Sequence, residues 1–273
     1  MEDLDTPRCV PGATDDILRT LDAFGLHSDE TIIYQSRRTA AYQEALHTLQ
    51  TQGAAYPCCC TRREIADSAL LGIEGFVYPG TCRNGKSPPL PGREGAAAAR
   101  MPAWRVRTDL NPSLFSLSSS PIEFDDALQG RITQHLESEI GDFVVKRADG
   151  LFAYQLAVVA DDAAQGITAV VRGADLLYST PRQIYLQRLL GLTTPAYLHL
   201  PVAVNAAGEK LSKQTLAPAI TRDNAVATLI AALRFLRQQP PDTLRGATVE
   251  QLLQWGTTNW KPEKLTNCRQ FPV

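Results

Sequence analysis

The chain has 273 residues, 44% of them hydrophobic and 21% charged, with a formal net charge of −2 and a pI near 6.1. These values are typical of a globular protein with one large domain or two modest ones. They exclude a strongly basic protein, although not a local basic face. We find no apolar stretch long enough to span a bilayer and expect no signal peptide. Three of the six cysteines are adjacent, which does not fit a disulfide framework and predicts a reduced, cytoplasmic compartment.

The first half of the chain predicts short strands in alternation with amphipathic helices. Thr14, Asp15 and Asp16 are expected to cap a helix that runs to about Phe24. The other predicted elements are a strand at 31–34, a helix at 42–49 that stops at Gly53, and strands at 54–58, 104–107 and 122–124.

The second half predicts further strands and then helices. Residues 142–145 and 153–159 are β-rich and joined by a turn at 147–150, and the second run is apolar almost throughout, as in a strand covered on both faces. Further predictions are a strand at 167–171, a helix from Thr180 through Leu190, a buried run at 197–204, and helices at 224–238 and 249–255. The alternation predicts an α/β fold with a mostly parallel sheet and a helical C-terminal part.

Residues 58–102 differ in composition from the rest, because glycine, proline, arginine and alanine dominate and few core residues are present. Cys58 and Cys60 form a C-x-C pair that, with Cys82, can supply ligands for a tetrahedral zinc ion. The metal would then provide folding free energy that this insertion lacks. Buried free cysteines are the alternative, and the residues leave the fourth ligand open among Tyr78, Cys59 and water.

Polar residues follow two of the apolar strands. Arg172 comes after Val170 and Val171, where ligands bind in open α/β sheets, and its guanidinium can bind a carboxylate or phosphate. A structural ion pair with Asp175 is an equal alternative. Lys210 and Lys213 lie in a short loop after the run at 197–204, where their ammonium groups can bind a polyanion or form an ordinary solvated turn.

Two further residues have an ordinary interpretation when considered alone. Glu2 fits a solvated chain start, and Tyr154 fits a core tyrosine whose hydroxyl needs a partner. We find neither a glycine-rich phosphate loop of standard spacing nor a Ser–His or Cys–His arrangement, so the lysine loop is the one phosphate-handling candidate.

Together these segments resemble the catalytic half of a class I aminoacyl-tRNA synthetase of the glutamate type. In particular, they resemble the branch without an anticodon-binding domain, which glutamylates queuosine in tRNA(Asp). The matching segments are 2–8, 58–62, Tyr78 with Cys82, 149–159, 171–176 and 210–214. The last three are weak singly and highly specific in combination.

The resemblance implies a Rossmann-like α/β catalytic domain with a zinc-binding insertion and a helical C-terminal part. It divides the chain into the first part of the nucleotide-binding domain at 1–57, the zinc-binding insertion at 58–102, the rest of the catalytic domain at 103–222 and the helical part at 223–273. It also implies site residues: Glu2, Tyr154 and Arg172 for glutamate, Lys213 for ATP, Lys210 with Lys213 for catalysis, and Cys58, Cys60, Tyr78 and Cys82 for one structural zinc ion.

The implied reaction has two steps. Glutamate attacks the α-phosphate of ATP, supplied with Mg²⁺, and the resulting glutamyl group passes to queuosine at the wobble position of tRNA(Asp). The implied protein is a monomer whose partners are L-glutamate, ATP and tRNA(Asp). A fragment of an ordinary glutamyl-tRNA synthetase and a catalytically inactive, zinc-stabilised RNA-binding paralogue are the alternatives.

The start of the sequence departs from this resemblance. Members of the family open with a strand, a glutamate-binding segment and a helix with a HIGH-like motif that binds ATP, whereas Glu2 here already matches a position after them. We therefore expect the first strand, half of the ATP site and part of the glutamate site to be missing from the printed chain. Since a missing strand exposes a sheet edge, we expect this chain to be poorly soluble or inactive.

Overall fold

The computed structural model describes residues 1–68, 70–72, 75–85, 101–110, 121–212, 215 and 217–273. Within these residues the helices are α1 (Ala13–Ala23), α2 (Thr39–Thr51), α3 (Arg62–Ser68), α4 (Leu136–Glu139), α5 (Tyr154–Ala164), α6 (Thr180–Leu190), α7 (Ala225–Phe235) and α8 (Val249–Thr258). The strands are β1 (Ala55–Cys58), β2 (Leu71–Gly72), β3 (Gly75–Phe76), β4 (Ala103–Val106), β5 (Ile122–Asp126), β6 (Gly130–Gln134), β7 (Phe143–Lys146), β8 (Ala169–Gly173), β9 (Ala196–Leu200), β10 (Val202–Val204) and β11 (Gln270–Pro272).

Two sheets organise the core of the described chain. Strands β1, β4 and β7 form an antiparallel sheet in that order. A second sheet has the order β6-β5-β9-β8, in which β9 runs parallel to both neighbours and β6 runs antiparallel to β5. The prediction of a mostly parallel sheet therefore fits two of the three pairings in this second sheet, but not the β1-β4-β7 sheet, which is antiparallel throughout. The short turn between β5 and β6 permits only a hairpin, since a parallel pair needs a long crossover connection.

Three helices cover the sheets and build the main core. On α2, Tyr42, Leu46 and Leu49 recur at helical spacing and are fully buried, so this helix presents one apolar stripe inward. Buried residues of α5 and α6 join the same cluster as the antiparallel sheet. They include Leu156, Ala157, Val159, Ile184, Leu186, Val106, Phe143 and Val145.

The segment at 153–159 corrects the sequence analysis, because it begins helix α5 rather than forming a strand. A short apolar run fits a buried helix as well as a strand covered on both faces, and periodicity does not separate the two. The predicted turn before it is present, since the Gly150 amide donates to the Arg147 carbonyl at 3.0 Å. Lys146 and Phe152 pair across that turn, so the error begins only after Phe152.

Two other predictions near the start are also wrong. Residues 31–34 form no strand; instead, the Met1 ammonium donates to the Ile33 carbonyl at 2.6 Å, and the Gln35 amide donates to the Met1 carbonyl at 3.1 Å. The N-cap of α1 is Gly12, with φ of 80°, so Thr14 lies inside the first turn rather than before it.

The C-terminal part is helical as predicted, but the chain then returns to a strand. Strand β11 pairs in parallel with β10, which directly precedes the lysine loop. The last residues therefore support the strand from which that loop departs. None of the helices in the described ranges is long and apolar enough to cross a bilayer.

Candidate functional site

Arg172 lies next to the last residue of β8, in register with His199 on β9. Its guanidinium is half-buried and donates four hydrogen bonds. Nε donates to His199 Nε2 at 3.1 Å and Nη1 to Tyr154 Oη at 3.2 Å. Nη2 donates to Thr180 Oγ1 at 2.8 Å and to Gln183 Oε1 at 2.7 Å. All four acceptors are neutral, so they fix the guanidinium without cancelling its charge.

The alternative in which Arg172 pairs with Asp175 is not what the structure shows. Asp175 instead accepts a salt bridge from Lys210, with Nζ 2.6 Å from Oδ2. A guanidinium bound only by neutral groups remains available to an anion, because forming that contact breaks no existing ion pair. The geometry therefore favours an anion-binding role for Arg172.

Tyr154 is the first residue of α5, and this position points its hydroxyl at Arg172. The hydroxyl oxygen accepts from Arg172, which leaves its own proton free to be donated. Burial raises the pKa of Tyr154, although the charge of Arg172 partly offsets this. Under ordinary conditions Tyr154 is therefore a neutral hydrogen-bond donor.

Glu2 lies within electrostatic reach of Arg172. Desolvation raises the pKa of Glu2, and the N-terminal ammonium and Arg172 only partly offset it. The structure thus brings together the three residues that the resemblance implied for glutamate. It also adds Asp162 on α5, which the sequence analysis missed.

Asp162 belongs to the same electrostatic neighbourhood. Desolvation raises its pKa to about 6, the charge of Arg172 opposes this, and Asp161 and Glu2 reinforce it. The adjacent Asp161 instead anchors α5 to α2, accepting from Tyr42 Oη at 2.8 Å. If residues 153–164 had been predicted as a helix, the two acidic residues at the end of its apolar run would have indicated a candidate site residue.

The cysteine cluster consists of Cys58, Cys60, Tyr78 and Cys82. The three sulfur atoms lie within 4.8 Å of one another, with Cys60 Sγ 3.5 Å from Cys82 Sγ. Tyr78 Oη lies 3.3 Å from Cys58 Sγ and 3.5 Å from Cys60 Sγ. Since Zn–S bonds of about 2.3 Å separate tetrahedral ligands by roughly 3.8 Å, this arrangement is compatible with zinc.

The electrostatics of the cluster also suit a cation. Desolvation raises the pKa of Cys60 to about 12, and Cys58 and Cys82 add to this. Burial likewise raises the pKa of Tyr78 above its ordinary value. A divalent cation reverses this tendency, because it favours the deprotonated form of each ligand.

Tyr78 rather than Cys59 is the fourth member of this set. Cys59 is exposed and lies outside the group of converging sulfur atoms. Tyr78 is buried, and its hydroxyl also accepts a hydrogen bond from the Cys82 amide at 3.0 Å. The three cysteines are therefore compatible with zinc, and the role of Tyr78 as the fourth ligand stays a prediction.

Backbone and side-chain contacts hold the cluster against the core. Tyr78 pairs with Gly141, whose φ is 71°, and a Cβ at Gly141 would lie 2.8 Å from the Tyr78 nitrogen. The guanidinium of Arg105 lies 4.1 Å from the centre of the Tyr78 ring. Arg83 binds the buried Asp142 at 2.6 Å, so a charged contact also joins the cysteine segment to the body.

The lysine loop is described only in part. Lys210 pairs with Val204 across the loop, and its salt bridge to Asp175 ties the loop to the chain just beyond β8. The predicted ATP-binding residue, Lys213, lies outside the described residues. The loop is nevertheless joined to the strand end that carries Arg172.

Comparisons with known proteins show the family to which the chain belongs. The family described as tRNA synthetases class I (E and Q), catalytic domain, matches residues 1–75 and 96–261. A glutamyl-Q tRNA(Asp) synthetase of Dechloromonas aromatica is 56% identical over 262 residues, which cover 95% of this chain and 81% of that protein. One from Thiobacillus denitrificans is 52% identical over 265 residues, covering 97% and 82%.

A solved structure shows the same fold. The glutamate-tRNA synthetase from Elizabethkingia anophelis superposes with a TM-score of 0.70 at 20% sequence identity. The alignment covers 99% of this chain, which spans 60% of the length of that one. From the family match and the identity to these relatives, we conclude that the chain belongs to the class I tRNA synthetase catalytic domains of the E and Q type.

Proposed function

We propose that this protein activates L-glutamate with ATP and transfers it to queuosine at the wobble position of tRNA(Asp). Membership of the family and the names of relatives that are more than half identical support this. The observation that carries the proposal is Arg172, a half-buried cation whose four hydrogen-bond acceptors in the described chain are all neutral.

The donors around Arg172 fit a carboxylate of glutamate. A guanidinium has five N–H groups, of which four are used here, so one remains on Nη1. That N–H and the Tyr154 hydroxyl can together bind a carboxylate group. Glu2 and Asp162 supply negative charge in the same neighbourhood, which suits the ammonium group of an amino acid.

ATP then binds beside the glutamate, on the side of the lysine loop. Lys210 and Lys213, with Mg²⁺, stabilise the charge of the departing pyrophosphate. In this assignment Lys210 exchanges Asp175 for a phosphate oxygen. The pair costs little to break, because both side chains are partly exposed.

The remaining assignments complete the proposal. One structural zinc ion is held by Cys58, Cys60, Tyr78 and Cys82 within an insertion at 58–102, flanked by the catalytic segments 1–57 and 103–222 and followed by a helical part at 223–273. The protein acts as a cytoplasmic monomer.

The test is transfer of labelled glutamate to three RNAs: tRNA(Asp) with queuosine, the same tRNA with guanosine at the wobble position, and tRNA(Glu). Glutamate-dependent ATP–pyrophosphate exchange without tRNA is measured in parallel. Both assays use the 273-residue chain and the chain extended by the in-frame sequence upstream of Met1, since the printed sequence has no HIGH-like segment. A protein with that segment is expected to exchange and to label only the queuosine-containing tRNA.

Two outcomes contradict the proposal. Labelling of tRNA(Glu) at its 3′ end would identify an ordinary glutamyl-tRNA synthetase. Folded proteins that bind RNA but neither exchange nor transfer would identify a binding module.

A further inference from the structure

Three adjacent strands each place one polar side chain in a single row beneath the proposed glutamate site. Asp126 is the last residue of β5, His199 lies on β9 and Arg172 lies on β8. The side chains of Asp126 and His199 are completely buried. His199 Nδ1 lies 2.6 Å from Asp126 Oδ2, and His199 Nε2 lies 3.1 Å from Arg172 Nε.

The partners in this row fix the tautomer of His199. Asp126 Oδ2 is an acceptor, so the proton of the neutral imidazole belongs on Nδ1. Arg172 has only donors, so Nε2 must present its lone pair. The neutral imidazole therefore donates on one side and accepts on the other.

The other oxygen of Asp126 fixes the carboxylate in turn. Oδ1 accepts from the amides of Leu128 at 3.0 Å and Gln129 at 2.8 Å, and from the His199 amide at 3.3 Å. Because backbone donors occupy Oδ1, Oδ2 is the oxygen that faces the imidazole. Neither group can rotate without losing buried hydrogen bonds, which is costly.

We propose that His199, oriented by Asp126, is a positioning residue that sets the guanidinium of Arg172 for the substrate carboxylate. His199 also acts as a spacer between the two charges. A direct ion pair with Asp126 would neutralise the charge of Arg172. The imidazole instead presents only a polarised lone pair to Arg172, so the positive charge remains available to bind glutamate. This inference rests on the proposed function, because it assumes that Arg172 binds glutamate.

Two near-isosteric variants test the role of the tautomer. In Asp126→Asn, the backbone amides hold the side-chain oxygen, so the NH₂ group faces His199 Nδ1 and moves the imidazole proton to Nε2. That proton then faces the Nε–H of Arg172 and the Thr180 hydroxyl oxygen, which lies 3.3 Å from Nε2 and already accepts from Arg172. In His199→Asn, the side-chain amide can still donate to Asp126 but is too short to accept from Arg172.

We expect each variant to raise the Kd for L-glutamate by about 10- to 100-fold, as for loss of a hydrogen bond to a charged group. His199→Gln can place an amide oxygen where Nε2 lies, so it should recover much of the affinity. The exposed His47→Gln is the matched control and should bind as the unmodified protein does. Calorimetric titration measures the Kd for glutamate, and steady-state exchange measures whether the KM for ATP stays within about twofold.

A nitrogen-15 NMR measurement of the histidine tautomers makes failure of this inference distinguishable from failure of the proposed function. His199 should carry its proton on Nδ1 in the unmodified protein and on Nε2 in Asp126→Asn. If the unmodified protein binds glutamate and both folded Asn variants bind it equally well, His199 is only structural. If the tautomers are as expected but neither the 273-residue chain nor its extended form binds glutamate, the proposed substrate is wrong and the positioning role falls with it.

Discussion

The cysteine cluster and the Arg172 site have opposite electrostatic properties. In the cluster, groups that become anionic on deprotonation face one another, and desolvation raises the pKa of Cys60 to about 12. Around Arg172, neutral acceptors surround a cation and leave its charge intact. The first arrangement suits a metal cation, whereas the second leaves the guanidinium of Arg172 able to bind an anion.

The two regions also differ in how the chain builds them. The cluster comes from one part of the chain, with Cys58 at the end of β1 and Cys60, Tyr78 and Cys82 following it. The Arg172 site joins β8 and β9 to α5 and α6, from residues distant in sequence. Changes in the cluster should therefore act on local folding, whereas changes around Arg172 should act on ligand binding.

The largest effect is expected from removing a proposed zinc ligand. Cys82→Ser and Cys60→Ser should lose the metal and lower the free energy of unfolding by more than about 5 kcal/mol, because structural zinc contributes directly to folding. The substitution of the exposed Cys59 by serine is the control, and this variant should retain both the metal and the free energy of unfolding. Zinc content by mass spectrometry and denaturant unfolding provide the measurements. If the purified protein contains no zinc and a chelator does not change its free energy of unfolding, the cluster is not a zinc site.

The second largest effect is expected from the substitution Arg172→Gln. We expect the KM for glutamate in ATP–pyrophosphate exchange to rise on the order of 100-fold, because the substrate carboxylate loses a charged partner in a half-buried site. The KM for ATP should change little. Arg188→Gln, an exposed arginine on α6, is the matched control. Equal increases in both KM values would show that Arg172 supports the fold rather than glutamate.

Gly141→Ala tests the attachment of the cluster to the core. A methyl group there would clash with the Tyr78 backbone, and the left-handed φ adds strain, so we expect a loss of about 2–4 kcal/mol. Gly191→Ala is the comparison, since Gly191 has a similar φ of 67° but open space around it. It should cost only about 1 kcal/mol. Similar melting curves for the two variants would mean that the clash is relieved by a small movement.

The smallest expected effect is a pH dependence from Asp162, whose pKa is raised from 3.8 to about 6. Between these values the folded state keeps a proton that the unfolded state has released, so the free energy of unfolding should fall as pH rises. The shift corresponds to about 1–2 kcal/mol after allowance for solvent screening. The decrease should be complete about one pH unit above the raised pKa.

Asp162→Asn should abolish that decrease and be more stable than the unmodified protein above pH 6. Asp29→Asn, at an exposed aspartate, is the control and should keep the original slope. Denaturant midpoints measured between pH 4 and 7 decide this. An unchanged slope in Asp162→Asn would assign the dependence to another group.

Local patterns predicted much of the fold. Helix α6 begins at Thr180 and ends at Leu190 with Gly191 as its C-cap, as a proline in the first turn and a glycine stop predict from backbone geometry alone. The C-x-C spacing likewise identified the cysteine cluster, because its ligands are close in sequence. Helix α5 was missed, since its burial removes the polar face that distinguishes a helix from a covered strand.

The polar network that holds Arg172 could not be predicted in this way. Asp126 and His199 are 73 residues apart, and neither has a neighbour in the sequence that indicates their pairing. Only the strand order, which places β5 beside β9 and β9 beside β8, brings them to Arg172. The salt bridge between Lys210 and Asp175 likewise joins residues that are 35 apart in the chain. Sequence therefore indicated Arg172 but not the groups that hold it.

The most direct test of the central claim is a crystal structure of the protein with bound L-glutamate. The account predicts a carboxylate oxygen within about 3.2 Å of Arg172 Nη1, with the same carboxylate accepting from the Tyr154 hydroxyl. The four existing bonds of Arg172 should be unchanged. Glutamate bound with both of its carboxylates away from Arg172 would contradict the account.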